Sequence, residues 1–550
     1  MNAPPSPTLV PTTWTTGSTE VFKTGTWRSM IARHVHAPSP CHQACPVGGD
    51  IAEWIGLAGT GDLRAAWTVL TRHNPFPAVA GRICHHPCES ACNRAAYDEA
   101  LSICKLERFV GDAAIAGGWA FDAPGVSRDG HVAIVGGGPA GLSAAFQLRR
   151  RGWRVTLHEA GTALGGLMRH GIPAYRLARD VLDAEIARIV ALGVELRFGS
   201  PVQTPAQFQA LRDAHDAVFV ATGAARSRRL AQLDYAQPGI VDSAAWLEGC
   251  NAGRPLPLGP RVVVIGGGSA ALDAARSARR AGHAVTLLTL ESRGQLPAQA
   301  EEVVEALEEG IDLCDGAMLQ ACERGADGFV LHCRRVRFEP GAQRGQFQLT
   351  PLDEPAFTLE ADAVISSVGQ ETELEPFGLP AERGVLAVDA RQRAGDGTVW
   401  AGGDVASLAR HVTEAIGMGE RAALAIHRAL LGVQTPDETE GPTAAIESIA
   451  TWYHPRAPRA QSRVVPPAER LADGAEVQLG LTREQVRDEA ARCFSCGHCT
   501  SCDTCVVVCP DLAVRHDAGG YEVLGDYCKG CGLCVRECPS GAMTMEDELR

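Results

Sequence analysis

The chain has 550 residues, 45% of them hydrophobic and 21% charged, and it carries twenty cysteines and a formal net charge of -14. That length is enough for three or four packed domains, while a sequence pI near 5.7 excludes nucleic acid as a partner, because phosphate binding needs a basic surface. No uninterrupted apolar run is long enough to cross a membrane. The first residues, Met-Asn-Ala-Pro-Pro-Ser-Pro, lack the charged start and apolar core of a secretory signal, so a reducing cytoplasm is expected.

Residues 1–38 are rich in Pro, Ser and Thr and read as an extended arm over another surface. Residues 39–125 then place Cys41, Cys45, Cys84, Cys88 and Cys92 at C-x3-C and C-x3-C-x3-C spacing, around a helical stretch near 50 to 72. Turn-forming Pro and Gly between them suggest a small helical iron–sulfur module. Five thiols do not divide by four.

From His131 the pattern changes to alternating strands and helices. His131-Val-Ala-Ile-Val-Gly136-Gly-Gly138-Pro139-Ala140-Gly141 is an apolar strand running into G-x-G-x-x-G and a helix from Ser143 to Arg151. Such glycines let the backbone approach a pyrophosphate that sits on the helix N-terminus. A second strand ends in Glu159, suited to a ribose hydroxyl, and Asp216 to Gly223, with Thr222, reads as the strand that closes the sheet. The fingerprint recurs at Gly266-Gly-Gly268-Ser269-Ala270-Ala271, and the strand after it ends in Leu290-Glu291-Ser-Arg293. Two nucleotide sites are therefore expected. Residues 434–490 are Pro-rich and weakly patterned and read as a linker.

The C-terminal region, 491–550, contains C-x2-C-x2-C-x3-C-P twice. In bacterial ferredoxins this spacing holds two 4Fe–4S clusters, the fourth cysteine of each run crossing to the other cluster. One set is then Cys499, Cys502, Cys505 and Cys538, and the other Cys528, Cys531, Cys534 and Cys509. A zinc ribbon or a disulfide knot would suit paired C-x2-C knuckles, not this doubled run. Cys493 and Cys496 are left over.

The segment from Cys41 to Phe109 resembles the N-terminal domain of the glutamate synthase small subunit family, which includes the N-terminal part of dihydropyrimidine dehydrogenase and the large subunit of NADH-dependent ferredoxin:NADP oxidoreductase. The resemblance implies two further 4Fe–4S clusters. One would use Cys45, Cys84, Cys88 and Glu107, with Cys104 as the alternative to Glu107. The other would use Cys41 and Cys92 with an R-C-x-x-C pair, which relatives carry upstream and residues 1–40 lack. Arg492-Cys493-Phe-Ser-Cys496 looks like that element displaced. Fifteen cysteines and Glu107 then supply all sixteen ligands, and Cys104, Cys250, Cys314, Cys322 and Cys333 remain ordinary thiols.

The same resemblance reads Gly166-Leu167-Met-Arg169 as flavoprotein sequence, Gly402-Gly403-Asp404 as the late flavin motif whose Asp meets the ribityl chain, and Thr413 as opening a helix near the flavin. A strand belonging to the first fingerprint but arriving after the second means one domain is inserted into the other. FAD is thus expected on 126–225 with 390–433, and NAD(H) on the inserted 226–389. NADPH-using relatives carry an arginine pair where Leu290 and Glu291 stand, so NADH is expected.

The fold class is α/β: two nested Rossmann-like domains, preceded by a helical iron–sulfur domain and followed by a ferredoxin-like 2x4Fe–4S domain. The nucleotide-binding core contains no C-x2-C or C-x4-C pair, which leaves iron and sulfur as the electron exit. The expected function is an electron-transfer subunit working between NAD(H) and 4Fe–4S clusters through FAD. Its partner would be a ferredoxin or a catalytic oxidoreductase subunit in a hetero-oligomer. The alternative is a glutamate synthase small subunit feeding a glutamate-forming subunit.

Overall fold

A computed structural model describes residues 23–25, 28–325, 327–342, 345–395, 397–433, 441–472, 474–517 and 520–548. Most of the expected N-terminal arm, residues 1–22, lies outside them. Its last part is a strand, Met30–His34, paired antiparallel with the C-terminal strand Met543–Asp547 so that Ala32 faces Met545. The surface the arm covers is thus the cysteine-rich C-terminal region. Val35 N–H continues the contact onto the Ala542 carbonyl at 2.9 Å.

The expected helix near 50 to 72 is two, Ile51–Thr60 and Leu63–Leu70. Gly61 stops the first in a left-handed conformation, φ 89°, and the Asp62 carboxylate caps the second by accepting from Ala65 N–H. Both local signals favour a break over a continuous helix. Behind them Pro77–Ile83 crosses Ile103–Ala116 closely: a Cβ on Gly81 would stand 2.3 Å from Arg108 N, and one on Gly111 2.2 Å from Ala78 N. Trp54, Trp67, Leu106 and Val110 share a core with Val486 and Ala490 of the helix Arg483–Ala491. The C-terminal part of the chain is therefore built into the N-terminal helical unit.

Two parallel sheets follow. The first runs in the order Val399–Ala401, Ala217–Val220, His131–Val135, Arg154–His158, Glu195–Arg197. The strand at 217–220 is internal, correcting the expectation that it closes the sheet; Val399–Ala401 takes that edge. The second sheet runs Asp312–Cys314, Ala284–Leu288, Arg261–Ile265, Ala363–Ser366, Ile240–Asp242. It carries an antiparallel meander from Ala317–Gly325 to Phe357–Ala361. The chain leaves and re-enters the first unit through paired short strands, Arg226–Ser227 and Gln370–Glu371.

Helix Val412–Leu431 lies along Pro139–Arg150, whose first turn carries the glycine loop. Ser143 Oγ donates to the Ile416 carbonyl at 2.8 Å. Within the expected linker, residues 441–482 are held by distant partners. Val477 N–H donates to Tyr175 O at 3.0 Å. Glu476 accepts from Arg82 and Arg108, and Arg470 pairs with Glu308 at 2.8 Å.

Candidate cofactor sites

Four groups of the expected iron ligands come together. In the first, Cys84 lies just after Pro77–Ile83, and Cys88 sits on the short helix Pro87–Ser90. Burial pushes the Cys84 thiol up to about 12, with Glu107 and Cys45 adding to it. Burial also raises Cys45 and Cys88, and Glu107 acts on both. Glu107 as a residue keeps some solvent contact, but its carboxyl group is enclosed. Burial lifts that carboxyl to about 8, against a 2.7 Å hydrogen bond from Asn74 Nδ2. Cys104, one turn earlier on the same helix, is buried, and its Sγ donates to Ala80 O at 3.6 Å. Between the two alternatives, Glu107 is the group that acts on all three thiols.

In the second group, Cys41, Cys92, Cys493 and Cys496 line one cavity. Burial pushes the Cys41 thiol up to about 12, with Cys493 and Cys92 adding to it, and holds Cys493 at about 11. The loop is brought there by charged side chains. Arg94, 1% exposed, donates to Arg492 O at 2.6 Å and lies over the Phe494 ring at 4.7 Å. Glu489 accepts from Ser102 N–H at 2.7 Å and from Ala460 N–H at 2.8 Å. Two distant halves of the sequence thus converge on one set of thiols.

The third group joins Cys505 to Cys538, Cys499 and Cys502, and the fourth joins Cys534 to Cys509, Cys528 and Cys531; burial leads the rise in Cys505 to about 12 and in Cys534 to about 11. One backbone device recurs. The residues before and after the second cysteine are left-handed in Cys493-Phe-Ser495-Cys496-Gly497, in Cys499-Thr-Ser501-Cys502-Asp503 and in Cys528-Lys-Gly530-Cys531-Gly532. Ser495 N–H and Gly530 N–H each donate to the first sulfur of their loop at 3.4 Å. His86, at φ 35°, does the same for Cys84 at 3.2 Å.

All twenty cysteines are unpaired. Among the described residues, no three His, Cys, Asp or Glu side chains converge tightly enough to grip a single metal ion. Desolvated thiols met by N–H donors fit the sulfur corners of a cluster. A metal's positive charge would also reverse the thiols' upward shift.

The nucleotide sites are shaped by absent side chains. A Cβ on Gly136 (φ 111°) would stand 2.3 Å from Ala221 O, and one on Gly141 would stand 1.9 Å from Gly136 O. Gly138 instead faces open space. Pro139 and Ala140 open the helix. Glu159 accepts from Gly137 N–H at 2.8 Å and Gly161 N–H at 2.7 Å, so the acid braces the glycine loop it serves. Gly166 packs on Gly138 and Gly403 on Ala140, while Leu167, Thr222 and Gly223 lie at the solvent-facing rim. Arg169 is tied to Leu164 O and Asp183, and Asp404 pairs with Arg410 at 3.7 Å.

In the second unit Gly266 repeats the close approach, at 2.3 Å from Ser367 O, and Gly268 is again open. Ala271 stands where the first unit has Gly141, and Ala270 is exposed. Ser269 Oγ is buried without a partner at the first helical turn, a donor left for a ligand. Glu291 Oε2 lies 2.8 Å from where a Gly267 Cβ would be, and Arg293 is exposed with its N–H on Asp315.

The first thiol group touches both nucleotide units. Cys84 Sγ lies 3.6 Å from Thr413 Oγ1, the rings of His85 and His411 meet at 4.1 Å, and Gln299 Nε2 donates to Cys84 O at 3.4 Å. Ser39, Asn74, Asn93 and Arg94 were not expected from sequence; only the adjacency of Asn93 and Arg94 to Cys92 hinted at them.

Two nested dinucleotide folds joined to cysteine-rich iron–sulfur units define an oxidoreductase that links FAD and NAD(P) to 4Fe–4S centres. The chain belongs to the pyridine nucleotide-disulphide oxidoreductase family, whose profile matches residues 130–419. Residues 33–119 match dihydropyrimidine dehydrogenase domain II, 4Fe–4S cluster, and residues 498–543 match the 4Fe–4S dicluster domain. A Moorella thermoacetica protein named NADP(+)-dependent formate dehydrogenase subunit beta is 35% identical over 500 residues, 83% of this chain and 70% of the relative. The NAD-dependent dihydropyrimidine dehydrogenase subunit PreT of Escherichia coli O157:H7 is 31% identical over 72% of this chain and 92% of its own. The chain spans about half, 49%, of the putative oxidoreductase YgfK from that organism, at 31% identity. Among solved structures, a His57Gln mutant of Mycobacterium tuberculosis FprA aligns with TM-score 0.48 and 18% identity over 56% of this chain and 88% of its own. Among the described residues no helix is long and apolar enough to cross a membrane.

Proposed function

We propose that this chain is a cytoplasmic electron-transfer subunit that moves electrons between NADH and four 4Fe–4S clusters by way of FAD. It would exchange them with a ferredoxin or with a catalytic oxidoreductase subunit in a hetero-oligomer. The observation that carries this reading is the contact of Cys84 with Thr413, which sets a ligand thiol against the helix of the first nucleotide fold. When bound, FAD supplies the change from a two-electron hydride to single electrons, and the clusters carry these one at a time.

The residues have distinct tasks. Gly136, Gly138 and Gly141 admit a pyrophosphate to the N-terminus of Pro139–Arg150, and Gly266, Gly268 and Ser269 do so on Ser269–Arg280. Glu291 offers a carboxylate to a free ribose 2'-hydroxyl and repels a phosphate there, which favours NADH. The ligand sets would be Cys45, Cys84, Cys88 and Glu107; Cys41, Cys92, Cys493 and Cys496; Cys499, Cys502, Cys505 and Cys538; and Cys528, Cys531, Cys534 and Cys509. Consecutive sets share short connections: Cys41 to Cys45, Cys88 to Cys92, Cys496 to Cys499, Cys505 to Cys509 and Cys534 to Cys538.

The test is anaerobic iron and flavin analysis with NADH reduction followed by EPR. About sixteen irons and one FAD per chain are expected. About eight irons in fully flavinated protein would remove the N-terminal pair from the assignment.

A further inference from the structure

Cys41, Cys92, Cys493 and Cys496 receive neutral side-chain donors from two sides. Ser39 Oγ lies 3.1 Å from Cys41 Sγ and accepts from His42 N–H at 3.3 Å. A metal-bound thiolate has no proton to give, so the Ser39 hydroxyl must donate to the sulfur. Opposite it, Asn93 Nδ2 is 2.9 Å from Ala444 O and 3.4 Å from Cys496 Sγ. The Ala444 carbonyl can only accept, which fixes the amide orientation and aims the second N–H at the sulfur.

Hydrogen bonds to ligand sulfur stabilise the more negative, reduced state of an iron–sulfur centre and raise its potential. We infer that Ser39 and Asn93 are positioning residues that raise the redox potential of the Cys41, Cys92, Cys493 and Cys496 centre. Arg94 serves the arrangement mechanically, since its bond to Arg492 O holds the loop within reach of Asn93. It is itself paired with Asp98 at 2.7 Å.

The inference rests on the ligand set proposed above, and the experiment separates the two. In the full-length holoprotein, an EPR-monitored anaerobic redox titration should show one midpoint potential lowered by Ser39→Ala and the same one lowered by Asn93→Ala. The shifts should add in the double variant while iron and flavin stay at wild-type levels. Ser39→Thr, which keeps the hydroxyl, should restore the wild-type potential. Unchanged potentials in fully loaded variants would overturn the inference, as would a shift confined to a ferredoxin-type signal. Should Asn93→Ala fail to load, Ser39→Ala and its threonine rescue decide alone. Full iron in Cys493→Ser/Cys496→Ser would instead defeat the ligand assignment.

Discussion

The nicotinamide preference turns on one carboxylate. Glu291 lies against the second glycine loop, with Oε2 2.8 Å from where a Gly267 side chain would begin. A 2'-phosphate dianion bound there would approach to roughly 5 Å, and with an effective dielectric near 40 for a half-buried site the repulsion is about 3 kcal/mol. That corresponds to a preference for NADH on the order of a hundredfold in kcat/KM. Glu291→Arg replaces repulsion with attraction and should bring the ratio to unity or below. Burial raises the Glu291 carboxyl, so the protonated, non-repelling form gains as pH falls and the wild-type preference should narrow toward acid. Stopped-flow bleaching of the flavin by NADH and NADPH, under anaerobic conditions, measures this without a partner protein. A wild type that prefers NADPH, or a ratio unmoved in Glu291→Arg, would refute the reasoning.

Cys493→Ser/Cys496→Ser should lower iron from about sixteen to about twelve per chain while EPR retains both ferredoxin-type signals; loss of one of those signals would place the two cysteines elsewhere. Glu107→Ala should cost one N-terminal cluster and Glu107→Cys should retain it, whereas full loading of Glu107→Ala would hand the role to Cys104. Glu185 is fully buried, accepts from Ala78 and Val79 N–H at 2.9 Å each, and has its carboxyl lifted by burial to about 7 from 4.5. A raised carboxyl is harmless below the unfolded value, and stability falls as pH rises from about 4.5 to about 7, by up to roughly 3 kcal/mol. Glu185→Gln should flatten that slope in urea midpoints measured from pH 4.5 to 7.5, and identical slopes in both proteins would count against it.

Legibility followed the range of the constraint. The paired cysteine runs and both glycine loops announced themselves because local geometry dictates their spacing. The insertion of one nucleotide unit in the other was readable because Gly402-Gly403-Asp404 arrives too late for the second sheet, and Val399–Ala401 does pair with Ala217–Val220. Gly61-Asp62 carried a stop and a start that a helical reading from 50 to 72 passed over. Met30–His34 is too short to reveal a strand whose partner lies at Met543–Asp547. The segment around Glu476 has no pattern of its own because its bonds go to Arg82 and Arg108. Ser39 and Asn93 are ordinary polar residues until Cys496 is folded against them.

The convergence of Cys41 and Cys92 with Cys493 and Cys496 also sets a timetable for biogenesis. An emerging chain exposes the first two thiols and must synthesise about 400 more residues before the second two exist, roughly 20 to 80 s at ordinary elongation rates. Through that interval the pocket is a half-built receptacle, and iron offered early would find only two of its thiols. Filling of this centre must therefore wait until the chain is nearly finished, although two of its ligands lie near the front of the chain.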